Sequence, residues 1–240
     1  MATGFCESGC RANSRVRQFQ LLDREELEVD KPAALSQNAV AGMAQLFRLF
    51  PKRHILDVLV QHFLSEVNWI HGMIYSTAFL TQYEQWWNAF PLNAATEIDF
   101  AIMLLQVCAY SAQFLPSSTY TADTICGVPI RIIREYCHNQ ASDLARRYDA
   151  LGGMRSFMSV LYFSYKAQYE MNEGCIRDAW YHLGSAIRVA QDLGMYSESL
   201  LSGDSMPGTP PLNDLDIEMR RRVFWNLYIW DRYVTQFSFV

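Results

Sequence analysis

The chain has 240 residues, enough for one large domain or two small ones; 50% of them are hydrophobic and 19% are charged. This balance provides for a sizeable hydrophobic core and excludes global disorder. The formal net charge of −5 excludes nucleic-acid binding through a bulk positive potential of the whole chain.

The N-terminal segment is polar and has no sustained hydrophobic period. Residues 1–37 mix charges, small side chains and Pro32, which predicts a flexible segment. We expect no signal peptide there. We expect no membrane span either, because the most apolar window, Ile98–Leu115, is interrupted by Asp99 and two glutamines. The helical period begins after this segment, so we assign residues 38–240 to one helical domain.

Apolar residues that recur at steps of three and four predict a short helix over residues 38–50, ended by Pro51, and seven longer helices after it. The longer helices are predicted over Lys52–Glu66, Thr77–Asn88, Glu97–Leu115, Ile130–Ala150, Met154–Glu170, Cys175–Leu193 and Asp216–Tyr233. Thr96 and Asp99 predict a capping box, and residues 116–129 predict a loop. No run alternates long enough to indicate a strand. The predicted fold class is all-α, an array of antiparallel helices.

The last predicted helix differs from the others in its hydrophobic pattern. From Val223 onward, large apolar side chains cover nearly its whole circumference. A helix that is apolar all round is typical of a buried position, so we expect it to be central and enclosed on every side. Asp231 falls inside this ring and therefore needs a hydrogen-bonding or cationic partner. Glu218 and Arg222 have the i,i+4 spacing of a helical ion pair.

The last two predicted helices resemble the middle-homology, or regulatory, domain of fungal zinc-cluster transcription factors. The residues that carry the resemblance are Trp180, Gly184, Arg188 and Gly194, followed by Glu218, Arg221, Arg222, Phe224, Trp225, Asp231 and Arg232. The resemblance extends over roughly residues 50 to 233. It implies a nuclear regulator of transcription, in which this domain restrains or relays activation while a separate zinc cluster contacts DNA.

That zinc cluster uses six cysteines in two closely spaced sets. In this sequence Cys6 and Cys10 are followed next by Cys108, so the given chain does not contain the cluster. We therefore expect no cofactor in this chain, no membrane association, and DNA contact only through the missing zinc module. We expect protein partners or self-association instead.

The resembling family continues with more helices after the Asp-Arg pair, whereas this sequence stops at Val240. This predicts a domain that is incomplete at its C-terminus. We then expect the isolated chain either to be aggregation-prone or to be covered by a partner surface that meets Phe224, Trp225, Trp230 and Phe237.

Catalysis has no positive signal in the sequence, and we expect no enzyme. Glu135 and His138 match one half of a helical di-iron carboxylate motif, but a second Glu-x-x-His is absent from the sequence. We interpret them as a pair on a helix surface, beside a buried Cys137 thiol. The main alternative function is a helical protein-interaction scaffold with no role at DNA. A third hypothesis, a helical-bundle metalloenzyme, rests on Glu135 and His138 alone.

Overall fold

The computed structural model describes residues 50–88, 95–115, 124–197 and 212–237. This part of the chain contains seven α-helices and one short two-stranded ladder, which confirms the predicted all-α class. The helices are α1 Arg53–His62, α2 Ser76–Asn88, α3 Ala95–Ala112, α4 Ile130–Asp149, α5 Phe157–Asn172, α6 Ile176–Asp192 and α7 Asp214–Phe237. All seven longer helices were predicted to within a few residues. The segment 1–37 and nearly all of the helix predicted over 38–50 lie outside the described residues.

The central helix of the fold is α3. Every residue from Ala101 to Ala112 is buried, and α3 packs against α1, α4 and α5. The expectation that α7 is the central helix is wrong, because α7 buries only one stripe of side chains and packs mainly against α6. Within the described residues, no helix has the length and hydropathy to cross a membrane.

Helices α5 and α6 form an antiparallel pair joined by the short connector Glu173–Cys175. Gly174 adopts a φ of 79°, and the backbone N–H of Cys175 donates to the carbonyl of Glu170 at 2.8 Å. This turn satisfies carbonyl groups at the end of α5 and reverses the chain within a few residues. Helix α5 is buried almost throughout, whereas α6 buries one face that carries Leu183 and three alanines.

After α1 the helical geometry changes twice before the chain turns. Phe63–Val67 form a π-helical turn and Asn68–Ile70 a 3-10 turn. The Asn68 side chain is buried and its Nδ2 donates to the carbonyl of Ile74 at 2.7 Å. The Asn68 side chain therefore stabilises the turn that follows the 3-10 segment.

The loop predicted over residues 116–129 ends in a small hairpin. Thr124–Ile125 (β1) pairs antiparallel with Val128–Pro129 (β2), and the turn residues Cys126 and Gly127 have φ angles of 53° and 80°. Positive φ at both central residues is the geometry of a two-residue hairpin turn. Strands of two residues are too short to show an alternating pattern, which explains why the sequence did not reveal them.

Asp99 lies inside α3, which already begins at Ala95 rather than after Thr96. Its carboxylate is buried and accepts hydrogen bonds from the Ser159 hydroxyl at 3.2 Å and from Tyr148 at 3.5 Å. Burial raises the pKa of Asp99. The carboxylate therefore joins α3 to α4 and α5 rather than closing the end of its own helix.

A capping box is present at the start of α5. The Ser156 side chain accepts from the backbone N–H of Ser159 at 3.1 Å, and the Ser159 hydroxyl accepts from the backbone of Ser156. We expect Ser156→Ala to lower the free energy of unfolding by about 1 kcal/mol, since an N-cap hydroxyl contributes that amount. Urea unfolding followed by circular dichroism measures it.

Ser65→Ala is the matched control, because the exposed Ser65 hydroxyl makes only a long bond of 3.4 Å to the carbonyl of His62. We expect it to change stability by less than about 0.5 kcal/mol. Equal losses for the two variants would contradict a capping role for Ser156.

Candidate interaction surface

Helix α7 has a buried stripe and an exposed face. The buried residues follow steps of three and four along the helix and are Met219, Val223, Leu227, Trp230 and Val234. On the opposite side Trp225 is 55% exposed and Ile229 is 59% exposed. We call the exposed residues Trp225, Tyr228, Ile229, Arg232 and Tyr233 the outer face of α7.

Contacts at both edges of the buried stripe fix the rotation of α7 about its axis. The ring of Trp230 meets His71 edge-to-face at 4.8 Å, and the Nδ2 of Asn226 donates to the backbone carbonyl of His71 at 3.1 Å. Closer to the N-terminus of α7, the guanidinium of Arg220 lies 5.3 Å from the ring of Phe157 at the start of α5. Because these contacts flank the stripe, the outer face points away from the core.

Three charged residues near the beginning of α7 pair with one another. Glu218 accepts from Arg222 at 2.8 Å and from Arg221 at 3.1 Å, which confirms the predicted i,i+4 pair. These hydrogen bonds lower the pKa of Glu218. The pairs are exposed and add little to stability.

The second half of the exposed side is aromatic. The guanidinium of Arg232 lies 5.3 Å from the ring of Tyr228, and Trp225 meets Tyr228 edge-to-face. Phe224 and Asp231 are only half-buried, so the expectation of a carboxylate enclosed in an apolar ring is wrong. Trp230 is also not part of the exposed surface, since it packs on His71, and the side chain of Phe237 lies outside the described residues.

The motif residues of α6 have two kinds of position. Trp180 is exposed. Gly184 lies beneath the Arg188 side chain, and a Cβ added at Gly184 would be 3.3 Å from the Nη1 of Arg188. The Nη2 of Arg188 donates to the Ser185 hydroxyl at 3.2 Å. Gly194 has a φ of 66°, as a left-handed C-cap requires. Gly184 therefore leaves space for Arg188, and Gly194 ends the helix. Trp180 and Trp225 lie exposed on helices that pack against each other.

The proposed metal and thiol residues do not form a reactive site. Glu135 is exposed and pairs with Arg131 at 2.8 Å. The expectation that His138 lies on the surface is wrong, because His138 is half-buried and stacks on Tyr169 with the ring centroids 4.2 Å apart. Burial lowers its pKa to about 4. The Cys137 thiol is buried, which raises its pKa to about 12 and leaves it unreactive.

No group of three or more His, Cys, Asp or Glu side chains in the described residues could hold a metal ion. These residues therefore do not fit a di-iron centre or a zinc cluster. Cys6 and Cys10 lie outside the described residues.

Sequence reasoning missed a buried polar group between α5 and α6. The Glu170 carboxylate is hydrogen-bonded to His182 at 2.6 Å and lies 3.8 Å from the ammonium of Lys166. The available signal was the i,i+4 spacing of Lys166 and Glu170 within an otherwise apolar helix, where a charge must be paired.

A family model described as the fungal specific transcription factor domain matches residues 60–235. The probable transcription factor sol4 of Alternaria solani is 37% identical over 177 residues, which cover 74% of this chain and 31% of that protein. The transcription factor xilB of Penicillium rubens is 29% identical over 237 residues, which cover 97% of this chain and 34% of that protein. The chain thus spans about a third of the length of these relatives. No solved structure matches it significantly.

The two sides of α7 predict opposite responses to truncation of a side chain. We expect Leu227→Ala to lower the free energy of unfolding by about 2–5 kcal/mol, because it empties a buried site. Ile229→Ala, on the outer face, should change it by less than about 0.5–1 kcal/mol. Urea unfolding curves of both variants measure the difference, and similar losses at the two sites would mean that the outer face is covered in the folded chain.

Burial of His71 predicts a loss of stability in mild acid. Burial lowers its pKa to about 4 from an ordinary value of 6.5. The folded chain therefore holds His71 neutral while the unfolded chain binds a proton, so stability falls as pH drops from 6.5 toward 4. Allowing for partial solvent exposure, we expect a loss of about 1–2 kcal/mol.

The pH dependence of urea unfolding tests this expectation. His71→Gln should show a shallower loss between pH 6.5 and 4 than the unsubstituted chain. His54→Gln, at an exposed position, is the control and should retain the full slope. An unchanged slope in His71→Gln would assign the effect to other groups, such as His138.

Proposed function

Because the chain belongs to the family of the fungal specific transcription factor domain, we propose that it is the regulatory domain of a zinc-cluster-type transcription factor. In this proposal it acts in the nucleus and regulates transcription without contacting DNA itself. The observation that carries the proposal is the extent of the match, which runs from within α1 to within α7 and includes the outer face.

The charge distribution supports a domain that leaves DNA contact to another module. On α4 Arg131 pairs with Glu135 and Arg146 with Asp143, and on α7 Arg222 pairs with Glu218. Paired arginines offer little positive potential to phosphates. The relatives are about three times as long as the matched part, which leaves room in such proteins for a zinc-containing DNA-binding module.

The outer face of α7 supports contact with a protein. Exposed tryptophan and tyrosine are enriched where proteins bind one another, because they bury a large area at a small cost in side-chain entropy. Glu218 already pairs with Arg221 and Arg222, so a partner would not need to supply compensating groups for these three residues. We propose that this face receives a protein partner or a second copy of the domain.

A reporter assay tests regulation directly. The 240-residue chain is placed between a heterologous DNA-binding domain and an activation domain, and transcription is compared with a fusion that carries an unrelated helical domain of equal length. We expect output to fall roughly fivefold or more, the scale of a regulatory coupling. Trp225→Ser combined with Ile229→Ser should restore output, and His54→Gln should not.

A gel-shift titration of the chain alone is the second arm of the test. We expect binding to duplex DNA to be weaker than about 1 μM at physiological salt and to lack sequence preference. Tight, sequence-selective binding would contradict the proposal that this domain leaves DNA contact to another module.

The alternative function is a helical interaction scaffold with no role at DNA, and it is favoured by the same exposed aromatic face. Reporter output equal to that of the unrelated helical domain, together with self-association in solution that is lost in the double serine variant, would support the scaffold.

A further inference from the structure

A cleft of about 460 Å³ lies between α4, α5 and α6. This volume is within the range of small-molecule sites in proteins, about 300–1,000 Å³. Three aromatic side chains form part of its wall, Tyr162 and Phe163 of α5 and Tyr181 of α6. Tyr162 is buried and Tyr181 is 62% exposed, so the aromatic wall runs from the interior to the mouth. The cleft can therefore hold a flat apolar group.

The buried ammonium of Lys166 also lines the cleft. The side chain is 9% exposed and donates to the Ser142 hydroxyl at 2.6 Å. The Oε1 of Glu170 is 3.8 Å away, which is too far for a hydrogen bond. Within the described residues, Lys166 therefore uses one of its three N–H donors. Because buried donors without acceptors are costly, this end of the cleft favours a ligand that brings a hydrogen-bond acceptor.

The charges around the cleft are offset by the chain itself. Arg146, which lines the cleft, pairs with Asp143 at 3.0 Å. Burial lowers the pKa of Lys166, and the charge of Arg146 lowers it further. The carboxylates of Glu170 and Asp178 raise this pKa, so they stabilise the positive charge of the ammonium. A negative charge on a ligand would meet these acids, and an uncharged acceptor is therefore favoured over an anion.

The other end of the cleft carries an acceptor, the carboxylate of Asp149 at the end of α4. Ser142 and Asp149 are seven residues apart in the sequence. Two helical turns place them on the same side of α4, about 10 Å apart along the helix axis. The cleft thus offers the donor Lys166, next to Ser142, at one end and the acceptor Asp149 at the other. An uncharged aromatic molecule with an acceptor and a donor at its opposite ends would match this arrangement.

We propose that this cleft binds a neutral aromatic amide that carries an N–H donor at the opposite end of its ring. The amide oxygen accepts from Lys166, the ring lies against Phe163 and Tyr181, and the donor reaches Asp149. An amide oxygen is an acceptor without a charge, which suits a buried ammonium that nearby acids already offset. The site consists entirely of residues of this chain and does not depend on the regulatory role proposed above.

Calorimetric titration of the folded chain with para-aminobenzamide tests the proposal. We expect one saturable site with a Kd on the order of 0.1–1 mM, as suits a ligand of this size. The compound para-methylaniline lacks the amide and should bind at least about tenfold more weakly, because Lys166 then gains no acceptor. The anion para-aminobenzoate has nearly the same shape and should bind roughly threefold more weakly or worse, since its charge loses water next to acids.

Substitutions test the two ends of the cleft. Lys166→Met keeps the apolar stem and should abolish detectable binding of para-aminobenzamide. Asp149→Asn should weaken it by roughly 3–10-fold, because the ligand's donor then meets a neutral acceptor. Benzamide, which lacks the amino group, should not respond to Asp149→Asn. Asp192→Asn is the matched control, because Asp192 is likewise an exposed last residue of its helix, α6, and does not line the cleft; binding should be unchanged.

Four outcomes would overturn the proposal: no saturable binding of para-aminobenzamide, equal binding of para-methylaniline, equal or tighter binding of para-aminobenzoate, or equal effects of Asp149→Asn and Asp192→Asn. Circular dichroism of each variant confirms its fold. If Lys166→Met fails to fold, the comparison with para-methylaniline still tests the acceptor. Reporter output plays no part here, so failure of this site and failure of the regulatory role remain distinguishable.

Discussion

The enclosure of α3 is the constraint on which the rest of the structure depends. A helix that is buried at every residue from Ala101 to Ala112 requires neighbours on all sides, since each uncovered large side chain forfeits about 1.5–3 kcal/mol of burial. Its polar groups fix where those neighbours lie. Asp99 accepts from Tyr148 of α4 and Ser159 of α5, and the Ser111 hydroxyl donates to the carbonyl of Leu59 in α1 at 3.0 Å. Nonpolar packing encloses α3, and these few hydrogen bonds set the register of the surrounding helices.

The helices could be predicted because their periodicity is local, whereas the identity of the central helix could not. Both α3 and α7 are apolar around much of their circumference. In α3 the side chains are mainly aliphatic, while the exposed side of α7 carries Trp225, Tyr228 and Tyr233, whose rings bear a polar atom that can reach water. A helical wheel counts aliphatic residues and Trp or Tyr alike as hydrophobic. Similarly, the partners of Asp99 lie on other helices, and no local sequence pattern reveals them.

In the candidate sites too, features within one helix could be predicted and contacts between distant residues could not. The Glu218–Arg222 pair follows from spacing within one helix and was predicted, as was an uncovered aromatic surface that includes Trp225. The exclusion of Trp230 from that surface depends on His71, which lies far away in the chain, and could not be read from α7 alone. The pairing of Glu170 with His182 was missed because the two residues lie on different helices.

The attachment of α7 to the 3-10 turn has a consequence for the order of folding. The hydrogen bond from Asn226 to His71 joins residues 155 positions apart, so docking of α7 closes a very long loop, and its entropic cost is repaid only once the core exists. The core contacts of α3, α4 and α5 span much shorter separations. Helix α7 packs mainly against α6 and contacts the rest of the domain at few points, so its amides should exchange with solvent through a local opening rather than through global unfolding. The helix that carries most of the family motif would then leave the core of α3, α4 and α5 in place when it opens.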